Sequence, residues 1–368
     1  MSKNRLWETF HSLTAIDSPS LGERRLCDFL KKQLSELGIA CYEDSAGEII
    51  GGSCGNLYGF LPGDFGDAIL LSAHMDTVEP SHGKKATLQA NGIITSESDT
   101  VLGADDAAGI TVILEAIRRL NESGVSHRPV ELIFPVAEET FGLGSAVADY
   151  SRFRSKEAYV LDLSGQIGEA ANTAPTLTAF TIAIHGKAAH AGFAPQEGIH
   201  AIAAAAKAIA RIPMGEIKPG LCCNIGTVIG GRAKNIIPED CRVTGEIRSL
   251  SHDDATALWE DIKAAFIEEA AAIGAVAEIS EDVALTAYET SLNSLTVRRF
   301  KKACAAAGIA CNIHSTMGGS DNNNFALHGI EGLVLACSMH DVHSVGEFCD
   351  LNELEECAQL VTHLITGG

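Results

Sequence analysis

Ala68-Ile69-Leu70-Leu71-Ser72-Ala73-His74-Met75-Asp76-Thr77 is an apolar run closed by a histidine and an aspartate two residues apart. Its length suits a buried strand. In an open α/β sheet, ligands gather beyond the carboxyl ends of the strands. An imidazole placed there binds metal well through one ring nitrogen, and a neighbouring acid takes the hydrogen of the other. His-x-Asp alone is weak evidence, but later runs repeat the pattern. The run 130–136, interrupted by Pro135, delivers Glu138-Glu139. Ala158-Tyr159-Val160-Leu161 ends in Asp162, and Leu333-Val334-Leu335-Ala336 precedes Met339-His340-Asp341-Val342-His343.

Gly103-Ala104-Asp105-Asp106-Ala107-Ala108-Gly109 stands just before a helix whose inner face is marked by Ile110, Ile113, Leu114 and Ile117. Two acids there also serve as a cap and as first-turn charge against the helix dipole. Strand ends together offer His74, Asp105, Glu139, Asp162 and one histidine of the 340–343 loop. Imidazole and carboxylate without thiolate suit zinc, manganese or cobalt. Five ligands exceed one tetrahedral zinc but fit two ions about 3.5–4 Å apart if one carboxylate bridges them. Asp76 then orients His74, and Glu138 is left to act as general base.

The 368 residues, 46% of them apolar, allow two domains with substantial cores. Lys and Arg number 27 against 48 Asp and Glu, a formal charge of −21, so there is no basic footprint for nucleic acid or an anionic membrane. No signal segment and no run of membrane-spanning length is seen. The eleven cysteines are scattered with no C-x-x-C pair. They read as reduced thiols of a cytoplasmic enzyme rather than a disulfide framework or a zinc-thiolate site. Gly51-Gly52-Ser53-Cys54-Gly55 reads as a turn, since no P-loop lysine follows.

Helices are expected at 5–17, 21–37, 197–211, 252–272 and 292–307. The middle of the chain changes character: Thr178-Ala179-Phe180-Thr181-Ile182-Ala183-Ile184 alternates like a half-exposed strand. With strands expected near 223–229, 241–248 and 275–280, the order strand-helix-strand-strand-helix-strand resembles a ferredoxin-like insert.

His74-Met75-Asp76, Gly103 to Gly109, Glu138-Glu139-Thr140, Asp162, Gly186-Lys187-Ala188-Ala189-His190-Ala191-Gly192 and His343-Ser344-Val345-Gly346-Glu347 occur in one order. As an ordered set they resemble the co-catalytic di-zinc metallopeptidases, the family of aminoacylases, glutamate carboxypeptidases and dipeptidases, and most of all its peptidase T-like branch. The resemblance spans nearly the whole chain. It implies an α/β di-metal exopeptidase-type catalytic domain, residues 1–174 and 285–368. Into this is inserted a ferredoxin-like α+β lid and dimerisation domain, residues 175–284.

It further implies Asp105 as the bridging ligand, with a cis Asp105–Asp106 peptide. His74 and Asp162 complete one metal site, Glu139 and His343 the other. His343 is preferred over His340 because the family's ligand histidine is followed four positions later by a glutamate, here Glu347. His190, Asn235, Arg248 and Gly319 match substrate-side positions, though Arg248 also reads as a strand-end surface charge and Gly319 as part of a loop before a helix. The sequence Leu163-Ser164-Gly165 after Asp162 departs from closer tripeptidase relatives. The expected activity is hydrolysis of short peptides in a homodimer, by hydroxide formed on the metals with Glu138 as base. The alternatives are an N-acyl amino acid amidohydrolase or carboxypeptidase of the same family, and a non-catalytic peptide- or metal-binding protein.

Overall fold

A computed structural model describes residues 2–367. The chain divides into two compact units. The first runs up to Thr173 and takes in Glu289–Thr316 and everything from Ser320 onward; the second is Ala174–Tyr288 with Met317–Gly319. The segment expected as an insert at 175–284 lies inside the second unit.

The first unit is built on a nine-stranded sheet. Its centre is four parallel strands in the order Val130–Phe134, Ile69–Ser72, Glu157–Ser164, Glu331–Met339. Leu57–Leu61 and Ala40–Glu43 extend one side antiparallel, and Glu169–Ala174 continues the other. Both faces are covered. Ile69, Leu71, Tyr159 and Leu161 point into one apolar cluster, while Leu70, Ala158 and Val160 point into another. Burial on both faces is why these strands are continuous apolar runs rather than alternating ones.

The helix Ala104–Ser123 is buried along nearly its whole length and packs against Ser2–Thr14 and Leu351–Thr366. Its first turn is not helical: Asp105 (φ −82°, ψ 100°) and Asp106 (φ −121°, ψ 36°) leave the helical region, and the peptide between them is cis. The acids therefore are not simple first-turn charge. A small sheet of Ala86–Leu88, Ile93–Ser96 and Phe348–Asp350 completes this unit.

The second unit is an antiparallel sheet in the order Gly215–Lys218, Leu221–Gly230, Asp240–Ser249, Thr176–His185, Val276–Leu285. Ala201–Ile209 and His252–Ala271 close one face over Phe180, Ile182, Ile184, Val243 and Ile247. Without its short first strand this is the ferredoxin-like order. Three helices begin later than expected, Leu295–Ala307 by three residues among them. Arg24–Glu36 starts after Leu21, whose φ of +68° cannot be helical. Ala201–Ile209 starts after a short turn at Pro195–Glu197, with the His200 ring accepting from Ala203 N at 3.2 Å as its cap.

Candidate metal centre

The four parallel strands release their chains at one edge of the sheet. Two residues beyond Ile69–Ser72 comes His74, 2% exposed, its backbone N–H donating to Asp106 Oδ2 at 3.1 Å. Asp162 lies within Glu157–Ser164, Glu138 and Glu139 follow Val130–Phe134, and His343 follows Glu331–Met339.

Two groups of three potential ligands result, each with its ligand atoms within 4.8 Å of one another: His74, Asp105 and Asp162, and Asp105, Glu139 and His343. Asp105 belongs to both. Its Oδ1 lies 2.9 Å from His74 Nε2, and its Oδ2 lies 3.2 Å from His343 Nε2. His343 Nε2 is also 3.1 Å from Glu139 Oε2, and His74 Nε2 is 4.0 Å from Asp162 Oδ1. His340 is elsewhere: its Nε2 meets Glu353 at 2.6 Å, and its ring stacks on Phe348.

A surrounding layer of carboxylates holds these groups. Asp76 Oδ1 approaches His74 Nδ1 at 3.4 Å and accepts Glu138 N–H at 2.8 Å. Its Oδ2 accepts Glu139 N–H at 3.1 Å and the Ser20 hydroxyl at 2.7 Å. Glu347, 2% exposed, accepts Gly103 N–H at 2.7 Å and Asp105 N–H at 3.0 Å. Asp106 also accepts Gly109 N–H at 3.0 Å. Each acid thus fixes backbone next to a potential ligand.

Crowding shows in the ionisation. Burial, then the charge of Asp162, pushes Glu138 well above the ordinary carboxylate range. Burial, then Asp105, does the same to Asp162. Glu139 is raised by burial and Asp105 despite its hydrogen bond with His343. Asp105 goes the other way, because hydrogen bonds with His343 and His74 outweigh its burial. His343 is lifted to about 10 by Asp105 and Glu139.

Two acids near this site carried no signal in the sequence beyond their neighbours. Glu23, fully buried, accepts Ala137 N–H at 3.0 Å, yet it stands before a helix like any capping acid. Asp321 closes Gly318-Gly319-Ser320-Asp321, the loop before a helix that carries Gly319; it accepts the Ser145 hydroxyl, and burial pushes it up to about 7.

The residues matched to substrate positions lie in the second unit. His190 Nδ1 accepts Gly192 and Phe193 N–H, each at 3.1 Å, and the ring stacks on Phe193 at 4.3 Å. In the neutral ring the hydrogen is then on Nε2. The backbone carbonyl of Asn235 accepts Ala191 N–H at 3.0 Å. Arg248 donates through Nε to Glu246 at 3.0 Å and through Nη1 to the Met317 carbonyl at 3.1 Å, two residues before Gly319.

The donor set fits divalent ions. Among the described residues no Lys or Arg forms an ion pair with Asp105, Glu138, Glu139 or Asp162, and Glu139 Oε1 is buried without a hydrogen-bond partner. Concentrated oxygen charge with imidazole, and no Lys or Arg paired to these four carboxylates, is the environment such ions neutralise.

A parallel-centred sheet with two ligand triads sharing one carboxylate at its edge defines a class, α/β enzymes with a candidate two-metal centre. Comparison with known proteins narrows it. The peptidase dimerisation domain family matches residues 174–273, and peptidase family M28 matches 56–203. The uncharacterized protein YqjE of Bacillus subtilis is 36% identical over 366 residues, covering 99% of this chain and 98% of its own. The crystal structure of aminopeptidase PepT from Bacillus cereus superposes with a TM-score of 0.94 at 36% identity, covering 99% and 98% of the two chains. A tripeptidase from Staphylococcus aureus superposes at 0.96 with 28% identity and the same coverage. The chain belongs to the peptidase T-like branch of the co-catalytic metallopeptidases, and is an enzyme of that class.

Proposed function

We propose that this protein is a metal-dependent exopeptidase of short peptides, tripeptides foremost. His74, Asp105 and Asp162 hold one divalent ion; Asp105, Glu139 and His343 hold the other. One observation carries this reading: Asp105 is common to both triads, while Glu138, adjacent in sequence to a triad member, belongs to neither. A pure binding site has no need of that spare carboxylate. The names of the relatives, aminopeptidase and tripeptidase, support the substrate class.

Bound ions of this kind polarise a peptide carbonyl and lower the pKa of a coordinated water, to about 7 for zinc. Zinc, cobalt and manganese all suit the donors. Glu138 takes the proton from the attacking water and delivers it to the departing amine. Asp76 orients His74 and holds the amides of Glu138 and Glu139, keeping base and ligand in register. His190 offers its Nε2–H to the oxyanion. Asn235, Arg248 and Gly319 contact the peptide, with Arg248 suited to a terminal carboxylate. The dimerisation-domain match at 174–273 supports a homodimer, which light scattering checks.

The test is Glu138→Gln on metal-loaded protein. Turnover is expected to fall by about 10²–10⁴-fold with two ions still bound per chain; near-wild-type turnover would defeat the mechanism. A panel of free tripeptides, dipeptides and N-acyl amino acids tests the substrate class. Cleavage of the acylated compounds alone would replace the peptidase reading with the amidohydrolase one.

A further inference from the structure

Three consecutive amides, those of Ala137, Glu138 and Glu139, are held by two buried carboxylates. Asp76 takes the second and third, and Glu23 Oε1 takes the first at 3.0 Å. The same oxygen of Glu23 accepts Leu21 N–H at 2.8 Å. Leu21 and Ala137 are both non-glycine residues in the left-handed region, with φ of +68° and +53°. Such backbone persists only where its surroundings enforce it. A single oxygen thus pins two strained positions, one in each of the segments that meet behind the acids.

The segment carrying Glu23 is tied to the site at further points. Ser20 donates to Asp76 Oδ2, and Thr77 N–H donates to the Ser18 carbonyl at 2.9 Å. Glu23 itself is 0% exposed, and its second oxygen, Oε2, has no hydrogen-bond partner.

We propose that Glu23 is a positioning residue for the hydrolysis described above. By holding the left-handed turn at Ala137, it sets the directions in which Glu138 and Glu139 leave the backbone, Glu139 toward His343 and Asp105 and Glu138 beside the two triads. The work is done by Oε1 as an acceptor, so an amide oxygen in its place suffices. The inference rests on the metal-site reading, so its test includes a measurement that needs no substrate.

The experiment compares Glu23→Ala, Glu23→Gln and the double variant Glu23→Ala/Ala137→Gly. The readouts are kcat, KM and the affinity for cobalt by competition with a chelator. Glu23→Ala should lower kcat by about 10–100-fold and weaken cobalt binding by about tenfold, the usual scale for removing a group that orients a ligand. KM should stay within about twofold, since ground-state binding is untouched. Glu23→Gln should behave as wild type. Glycine at 137 should recover part of the loss, because it adopts positive φ without strain. If Glu23→Ala does not fold, Glu23→Asp, which retracts the acceptor by one methylene, carries the same comparison.

The proposal is overturned if Glu23→Ala matches wild type in kcat and cobalt affinity, if Glu23→Gln is as impaired as Glu23→Ala, or if glycine at 137 recovers nothing. A wild-type protein that cleaves no peptide would sink the exopeptidase reading alone, and cobalt competition would still decide the role of Glu23.

Discussion

Gly144 shows how little room the acidic loop has. A Cβ added there would meet the Val136 carbonyl oxygen at 2.0 Å and Asn56 Oδ1 at 2.7 Å. Neither neighbour can yield: Asn56 is fully buried, accepts Val136 N–H at 3.1 Å and donates to the Gly144 carbonyl at 2.9 Å. Gly144→Ala is expected to cost about 1–3 kcal/mol of stability, as overpacking does. It should also push the Glu138–Glu139 loop and lower turnover at temperatures where the protein is still folded. Urea denaturation beside steady-state kinetics checks both. At this scale the sequence was legible where a reactive side chain ends an apolar run, as with His74, Glu139 and Asp162. It was not legible for Glu23, because an acid before a helix looks the same whether it caps that helix or reaches a backbone 114 residues away. His340 and His343 share a loop; Glu347, four residues on, already favoured His343, and the fold pairs His340 with Glu353 and sets His343 beside Asp105.

Among elements, the edge strand Ala40–Glu43 is fastened to Arg24–Glu36 by a charge cluster. Glu43 accepts from both Arg24 and Lys31 and from Gly55 N–H at 3.0 Å. Burial opposes ionisation, but hydrogen bonds from Arg24 and Lys31 prevail and bring the carboxyl down to about 2. A folded pKa below the unfolded one stabilises the fold above the unfolded value, and the benefit disappears as pH falls through the folded value. The stability difference between wild type and Glu43→Gln should therefore be constant from neutral pH down to about 5 and shrink between about 4.5 and 2. Denaturant titrations across that range check it; a difference that grows on acidification would refute it. The central strands were readable because burial on both faces leaves an unbroken apolar run. Gly215–Lys218, Ala86–Leu88 and Ile93–Ser96 were not, since each is three or four residues long and mostly at least partly exposed. The kink at the start of Ala104–Ser123 has no helical-period signature either, because Ile110, Ile113, Leu114 and Ile117 all lie beyond it.

For the whole molecule, the acid excess is unevenly important. Most of the net charge of −21 is ordinary surface, but among the described residues no Lys or Arg forms an ion pair with Asp105, Glu138, Glu139 or Asp162 at the sheet edge. Ions that bind there bind the folded chain and not the unfolded one. Loading should therefore raise the melting temperature, and free metal at 100 times the dissociation constant is worth about 2.7 kcal/mol per site. Thermal melts with chelator and with zinc, cobalt or manganese check this; identical melts would mean that no ion is held. The two-unit division was foreshadowed by the change from unbroken apolar runs to alternation near Thr178. The three-residue contribution of Met317–Gly319 to the second unit was not, since tertiary placement of a loop leaves no periodicity.

Asp105, with one oxygen toward His74 and the other toward His343, makes the two loci poor candidates for independent bookkeeping. An ion held by either triad would orient the shared Asp105 carboxylate for the other triad as well. Occupancy measured against free cation should thus trace one steep curve rather than two separate hyperbolas.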